Sequence, residues 1–180
     1  GERALAANLG RELTEVKPLF DQYHSTFPFV KDIYNLASQR ASQRGFIRTF
    51  AGRYSRFDLW EPVKSKEEYE ALPLEKAKEK WGNNIRRAFT HKALNRLLQG
   101  SAADLIKQAM LNVDQLLLQH PSNARLLLQI HDELVLECPQ EHVSQLVPQL
   151  KQSMQDAMRL NVPLVVDVTT GSDWLNQLDA

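Results

Sequence analysis

Two short apolar runs separated by a polar break form the clearest pattern in the chain. The first run covers 126–130 apart from Gln129, and the second covers 134–136. Apolar runs of this length are typical of two adjacent strands of a buried sheet. The pattern therefore predicts an antiparallel hairpin over 125–138. Its tip carries three polar residues, His131, Asp132 and Glu133.

The carboxylates at the predicted tip are candidate metal ligands. Asp132 and Glu133 are neighbours, and Mg²⁺ prefers oxygen donors while retaining several waters. The alternative interpretation is that Asp132 simply suits a turn and Glu133 is solvated. Because short motifs often match by chance, the stretch alone favours this second interpretation.

The remaining pattern predicts helices and short strands. The expected helices are 2–13, 14–23 with Thr14 as N-cap, 30–43 ended by Gly45, 83–120 and 141–159. The expected strands are 46–49 and 54–59, forming a second hairpin, and 163–169. The order helix, hairpin, helix, strand predicts an α+β fold, with helices packed on one face of a small antiparallel sheet and a helical portion before it.

Segment 61–80 differs from its surroundings in composition. It is rich in Glu and Lys, contains Pro62 and Pro73, and has few apolar residues. Such a composition predicts an exposed loop with a short helix near 66–71, lying on the surface outside the core.

The amino-acid composition restricts the classes of protein to which the chain can belong. The 180 residues are 43% hydrophobic and 24% charged, which suits one globular domain with a real core. The single cysteine, Cys138, excludes an internal disulfide, and its apolar strand predicts a packing role in a reducing compartment. No apolar run approaches the roughly 20 residues of a membrane span. The start at Gly1 without Met suggests a fragment or a processed product.

The formal net charge is zero, so any nucleic-acid binding must come from local basic patches. Between Ile33 and Phe57 the charged residues are all basic: Arg40, Arg44, Arg48, Arg53 and Arg56. Two aromatic residues, Tyr54 and Phe57, interleave with these arginines. Guanidinium groups match phosphate oxygens well, although a solvated arginine-rich face explains the same pattern equally well.

The first half of the predicted 83–120 helix is also basic, with no acid before Asp104. Its cations are Arg86, Arg87, His91, Lys92 and Arg96. Asn95 and Gln99 are four residues apart and therefore share a helix face, where ordinary surface polarity is the simplest explanation.

Four stretches together resemble the C-terminal part of family A DNA polymerases, of the bacterial DNA polymerase I type and its phage relatives. QIHDELVLE resembles the third catalytic motif, LNRLLQGSAADLIKQAM the helix before it, QRGFIRTFAGR a hairpin of the fingers, and NVPLVVDVTTGSDW the last strand and tail. They follow the family's order over essentially the whole chain. The departure is 59–80, which resembles an insertion of phage type. The resemblance implies a partial fingers subdomain over 1–82 and the C-terminal part of the palm over 83–180.

The resemblance also implies roles for individual residues. Asp132 corresponds to a palm aspartate that binds the two catalytic metals, and Glu133 to the adjacent supporting acid. His131 corresponds to a histidine near the primer terminus. The implied DNA contacts are made by Asn95 and Gln99 in the minor groove, by Arg53 on the template backbone, and by His91, which replaces a more common arginine.

The implied function is DNA-directed DNA synthesis by two-metal nucleotidyl transfer, with Mg²⁺, primer–template DNA and deoxynucleoside triphosphates. The first two catalytic motifs of the family are absent, so an N-terminal polymerase fragment is expected as partner and the chain alone is expected to be inactive. No membrane association is expected. The expected location is the cytoplasm of a bacterial or phage-infected cell, with an organelle left open.

Two other functions remain open on the sequence. One is a non-catalytic DNA-binding or assembly subunit that retains the palm shape. The other is a His-Asp metal hydrolase, which fits poorly because His131 and Asp132 lie between strands and the other histidines are scattered.

Overall fold

The computed structural model describes residues 2–64, 68–120 and 122–179. Contacts divide the chain into two units, Gly1–Leu98 and Gln99–Ala180. The boundary falls within one long helix, α5 (Ala93–Gln119), which therefore contributes residues to both units.

The first unit begins with three helices and a hairpin. The helices are α1 (Glu2–Leu9), α2 (Leu13–Thr26) and α3 (Pro28–Arg44). The hairpin pairs β1 (Phe46–Arg48) with β2 (Tyr54–Arg56), which confirms the predicted second hairpin. A small core joins α3 and the hairpin to the start of α5, and its buried members are Ala37, Ala41, Ile47, Phe57 and Ala93.

A second sheet follows in the same unit. Strand β3 (Leu59–Pro62) pairs antiparallel with both β4 (Leu72–Pro73) and β5 (Ile85–Arg87). Helix α4 (Leu74–Trp81) connects β4 to β5. A 3₁₀ turn, Thr90–Lys92, then leads into α5.

The prediction of a loop over 61–80 is therefore wrong. The segment contains sheet and helix, and the helix lies at 74–81; residues 68–71 have no regular structure, and 65–67 lie outside the described residues. The strand pairing is non-local, so composition could not reveal it. Helix α4 has a short apolar stripe, with Ala77 buried and Leu74 and Trp81 half-buried, but its other five residues are charged, so composition alone suggested an exposed segment.

Two predicted helix starts are also wrong. The helix expected from residue 83 begins at Ala93, because Phe89 adopts a left-handed φ of 61° that no helix accommodates. Thr14 is not an N-cap: α2 begins at Leu13, and the backbone carbonyl of Glu12 accepts the first helical hydrogen bonds.

The second unit is built around a hairpin and two helices. Strand β6 (Arg125–Ile130) pairs antiparallel with β7 (Glu133–Glu137). A 3₁₀ turn, Gln140–His142, precedes α6 (Val143–Gln155), which is shorter than the predicted 141–159. The α+β class is confirmed, with α5 and α6 packed on one face of the hairpin.

The strand predicted over 163–169 is absent from 163–168. Val162 and Val165 are largely exposed, because no described strand pairs with this segment despite its β-branched composition. Only Thr169 enters a strand, β8 (Thr169–Gly171), which pairs with β9 (Gln177–Asp179). Among the described residues, no helix is long and apolar enough to cross a bilayer.

Gly45 shows why the first unit needs a glycine after α3. It has a φ of 77°, and its N–H donates to Ala41 O at 2.9 Å while its carbonyl accepts from the Phe57 N–H at 2.8 Å. A Cβ atom there would lie 2.7 Å from the guanidinium carbon of Arg87. The position therefore combines a left-handed backbone with a close side-chain contact.

We expect Gly45→Ala to lower the free energy of unfolding by about 2–3 kcal/mol, because about 1 kcal/mol of backbone strain adds to displacement of Arg87. The matched control is Gly10→Ala. Gly10 has a φ of 60°, and a Cβ atom there would have no neighbour within 4 Å, so that only backbone strain is expected. Chemical denaturation measures both. Equal losses for the two variants would show that the Arg87 contact contributes nothing.

Candidate functional site

The β6–β7 hairpin ends in a two-residue turn. Ile130 and Glu133 form the last strand pair, which leaves His131 and Asp132 as the turn. This confirms the predicted hairpin and places Asp132 in its turn. His131 has a left-handed φ of 51°, and its carbonyl oxygen accepts a hydrogen bond from the Gln129 side-chain amide. A non-glycine residue in this conformation is strained, so surrounding packing must hold the turn.

That packing comes from one face of β7. Leu134 packs against a cluster that includes Ile106 and Ala109 of α5. Leu134 and Leu136 also pack against a second cluster, which includes Val113 of the same helix. The cluster is completed from α6 by buried Leu146 and Leu150. Two helices therefore fix the strand that leads directly out of the turn, which gives the turn a rigid base.

The other face of the hairpin is open. A register shift lies between Leu126 and Leu128, and Leu127 and Leu128 are each about half exposed, at 51% and 50%. The sequence predicted a buried sheet, and this part of the prediction is wrong. Bulges of this kind occur beside active sites, where they redirect the strand.

Both carboxylates of the turn region are available to bind a ligand. Asp132 and Glu133 are exposed, and in the part of the chain that the structure describes, neither side chain makes a hydrogen bond or ion pair. By contrast, Glu137 at the far end of β7 pairs with Arg125 at 2.8 Å. Two unpaired carboxylates on a rigid turn are hard oxygen donors, which is the chemistry that Mg²⁺ prefers.

The donor set is nevertheless small. Within residues 2–64, 68–120 and 122–179, no group of three or more His, Cys, Asp or Glu side chains is placed to hold a metal. Asp132 and Glu133 thus fit Mg²⁺ as partial ligands, and a tight site requires further oxygen donors.

The other predicted site residues lie on separate elements. Asn95 and Gln99 are exposed on α5, one helical turn apart, with Asn95 in the first unit and Gln99 in the second. His91 is exposed in the 3₁₀ turn before α5. Arg53 is exposed beside the β1–β2 turn, where its backbone N–H donates to Thr49 Oγ1 at 3.0 Å. His131, Asp132 and Glu133 lie together at the tip of the β6–β7 hairpin.

The arginines of 40–56 form an exposed basic strip on α3 and the β1–β2 hairpin. Arg48 and Arg56 lie over the Tyr54 ring, with guanidinium carbons 4.9 Å and 5.9 Å from its centroid. The Phe46 ring packs edge-on against Tyr54 at 4.9 Å. The predicted interleaving of aromatic and basic residues is therefore a physical cluster for Tyr54, whereas Phe57 is buried in the core of the first unit.

Three arginines that the sequence placed on a DNA-facing helix make intramolecular contacts. Arg86 pairs with Glu61 at 2.9 Å. Arg87 donates to the Phe57 carbonyl at 2.9 Å, and Arg96 donates to a backbone carbonyl, that of Arg56, at 3.0 Å. The sequence could not show this, because two of the three acceptors are main-chain oxygens 30 and 40 residues away.

Cys138 has the packing role that its strand predicted. It lies beside the core cluster of the second unit, and its thiol donates to the Pro139 carbonyl at 3.3 Å. Burial, with a smaller contribution from the negative charge of Glu141, raises the pKa of the Cys138 thiol. The thiol therefore stays protonated near neutral pH and is a poor nucleophile.

Comparison with known proteins identifies the family to which the chain belongs. A family model described as DNA polymerase family A matches residues 1–176. The chain belongs to DNA polymerase family A. The hairpin with its two free carboxylates lies inside the matched segment, as do Asn95 and Gln99.

Curated relatives of this family A chain include bacterial DNA polymerase I proteins. That of Lactococcus lactis subsp. cremoris is 33% identical over 170 residues, which cover 94% of this chain and 17% of the relative. That of Bacillus caldotenax is 34% identical with the same coverage. That of Synechocystis sp. is 32% identical over 176 residues, covering 97% and 18%. The chain thus spans less than a fifth of the length of these relatives.

A solved structure is also similar. It is the POL domain of Pol1 from M. smegmatis in complex with DNA primer-template and dNTP. The TM-score is 0.71 at 31% sequence identity, and the match covers 91% of this chain and 26% of that one. The likeness confirms the fold class of the family A chain.

We expect Arg87→Gln to lower the free energy of unfolding by about 2 kcal/mol, because it removes a charged hydrogen bond to Phe57 O and the stacking of the guanidinium 4.6 Å above Trp60. Arg86→Gln is the matched control, since it removes a neighbouring charge from a half-exposed ion pair that contributes less than about 1 kcal/mol. Denaturant titration at low and high salt measures both. Equal small losses of unfolding free energy for the two variants would contradict a structural role for Arg87. The residue would then be available to bind phosphate.

Proposed function

We propose that this chain forms part of the catalytic module of a DNA-directed DNA polymerase. In this proposal, residues 1–82 are a partial fingers subdomain with a surface insertion near 59–80, and 83–180 are the C-terminal part of the palm. The observation that carries it is the β6–β7 turn, where Asp132 and Glu133 are unpaired and rigidly supported within a family A sequence.

Asp132 and Glu133 would hold Mg²⁺ as partial ligands. Mg²⁺ bound there would supply Lewis-acid chemistry, which would lower the pKa of the primer 3′-hydroxyl and neutralise charge on the leaving pyrophosphate. The chain's own contribution is positioning: Leu134 and Leu136 anchor the strand that follows, so the backbone that carries both carboxylates is held in place. His131, held in the same turn, would lie near the primer terminus.

Exposed side chains elsewhere would bind primer–template DNA. The amides of Asn95 and Gln99 can donate to purine N3 and pyrimidine O2, which every base pair presents in the minor groove. These contacts sense the shape of a base pair without reading sequence. Arg53 would contact the template backbone, and His91 would add a further contact from the 3₁₀ turn. The M. smegmatis structure, which holds primer-template and dNTP, supports these assignments by its similarity.

The proposal includes a further polymerase segment as partner, whether on the same polypeptide or a separate one. Two carboxylates cannot bind two metals tightly, and the part of the chain that the structure describes places no larger donor group to hold a metal. The partner segment would therefore supply the remaining ligands and the groups that bind the deoxynucleoside triphosphate. The half-exposed Leu127 and Leu128 give this segment an apolar surface on which to pack. The 180 residues alone are accordingly expected to be inactive.

We expect Asp132→Asn to reduce Mg²⁺-dependent primer extension at least about a thousandfold when the chain is assembled with the remaining polymerase segment, because the change removes a ligand charge without changing shape. The matched control is Glu137→Gln, which neutralises an exposed carboxylate of the same hairpin that pairs with Arg125 instead. Its synthesis should stay within about twofold of the parent, since a surface ion pair contributes little.

Thermal unfolding of both variants accompanies the extension assay. Asp132→Asn should unfold at or slightly above the parent temperature, because two adjacent carboxylates repel each other when no metal is bound. Undiminished synthesis by Asp132→Asn would remove Asp132 from catalysis and favour a non-catalytic DNA-binding or assembly subunit. Efficient synthesis by the 180-residue chain alone would contradict the need for a partner.

We expect Gln99→Ala in the same assembled enzyme to slow extension most after a mismatched primer end, while DNA affinity changes by less than about threefold. The lost interaction is one or two hydrogen bonds of roughly 1 kcal/mol each. Gln108→Ala, on the same helix and hydrogen-bonded only to Asn112, is the control. Identical extension of matched and mismatched ends by Gln99→Ala and parent would exclude the minor-groove role.

A further inference from the structure

The first unit contains a groove that the proposed contacts do not use. It has a volume of about 240 Å³ and lies between α3, β1 and the start of α5. Its wall is apolar and includes Ile33, Leu36 and Phe46. Ile33 and Leu36 are 45% and 46% exposed, so this wall faces solvent instead of filling a core.

Three arginines line the same groove: Arg40, Arg44 and Arg48. Arg40 and Arg44 are one turn apart on α3, and within the described residues neither makes a hydrogen bond or ion pair. Arg48 donates to the Gly52 carbonyl at 3.2 Å through its Nε only. No acidic residue lies between Ile33 and Phe57 in sequence, and among the described residues none of the three arginines forms an ion pair.

An apolar wall beside unpaired guanidinium groups selects a ligand that has both an apolar body and fixed negative charge. A nucleotide within a single strand has this chemistry, since its base has apolar faces and phosphates flank it. Cβ atoms one helical turn apart are about 5–6 Å from each other, which is comparable to the spacing of successive phosphates. Phe46 adds an aromatic ring against which a base can pack.

An acidic peptide is the competing occupant. A peptide helix that binds in a groove needs a row of anchor pockets along its length. This groove has a volume of about 240 Å³ and is bounded by three short stretches, so it accommodates one base-sized group and not a row of side chains. The nucleotide therefore fits the shape and the charge better than the peptide does.

We propose that the groove between α3 and β1 binds one unpaired nucleotide of a single strand, with the base on Ile33, Leu36 and Phe46 and its flanking phosphates on Arg40 and Arg44. The identification of that strand as DNA rests on the proposed function. Only an unpaired base exposes both faces for packing on a protein wall, so the strand in this groove is one that is not paired in the primer–template duplex.

The test is a binding titration of the 180-residue chain without metal ions or primer. The probes are a fluorescent oligothymidylate and a strand of equal length in which every base is replaced by an abasic unit. We expect the oligothymidylate to bind at least about fivefold more tightly, because packing of one base on an apolar and aromatic wall contributes that much. Equal affinity for the two strands would overturn the proposal.

Two double variants separate the base contact from the phosphate contacts. Ile33→Ser with Leu36→Ser should abolish the preference for bases and leave the abasic affinity unchanged. Arg40→Gln with Arg44→Gln should weaken both strands and reduce the salt slope of binding by about 1.4, which is two contacts at about 0.7 each. The matched control for lost charge is Arg3→Gln with Arg11→Gln, two exposed arginines outside the groove, and its slope should stay unchanged.

Three further measurements test the proposal without relying on the double variants. Crosslinking the unmodified chain to a strand that carries 5-iododeoxyuridine should label residues 33–48, and labelling confined to other segments would overturn the proposal even if a variant fails to fold. A glutamate-rich peptide of equal charge that binds as tightly as oligothymidylate would also overturn it. Asp132→Asn should bind oligothymidylate like the parent, so failure of this groove and failure of the proposed catalysis are distinguishable.

Discussion

The candidate site depends on the one-sided burial of the β6–β7 hairpin. Leu134 and Leu136 pack into a cluster formed by α5 and α6, and this fixes the strand that begins at Glu133. The same packing offsets the strain of the left-handed His131, which costs roughly 1–2 kcal/mol for a residue with a Cβ atom. Strain of this kind persists where the surrounding structure enforces it, and here it holds a turn that presents two carboxylates.

The arginines of the first unit form two groups that differ in their contacts. Arg87 and Arg96 donate to main-chain carbonyls of the segment 56–57 and stack on Trp60 and Phe57, so they stabilise the fold. Arg40 and Arg44 make no such contacts within the described residues and remain available to phosphate groups. A count of basic residues therefore overstates the surface that can bind nucleic acid, and only the contacts of each guanidinium show which cations are free.

The sequence predicted the features that local pattern determines. The hairpin over 125–138, the end of α3 at Gly45 and the β1–β2 hairpin all follow from short-range periodicity and turn chemistry, and all three are confirmed. The failures are non-local: β3 pairs with a strand more than 20 residues away, and Phe89 interrupts a helical pattern through its backbone conformation alone. For the site, the sequence placed His131, Asp132 and Glu133 together, whereas it could not show that Arg87 is committed to Phe57 or that α3 and β1 enclose a groove.

The central claim is that Asp132 and Glu133 are ligands for a divalent cation. Paramagnetic line broadening by Mn²⁺, used in place of Mg²⁺ in nuclear magnetic resonance spectra of the chain, tests it directly. The account predicts that substoichiometric Mn²⁺ broadens the amide signals of 131–134 first, and that Asp132→Asn removes this preference while the signals of Glu137 are unaffected in both proteins. Broadening that begins at Glu137 or Asp173, or that is the same in parent and Asp132→Asn, would contradict it.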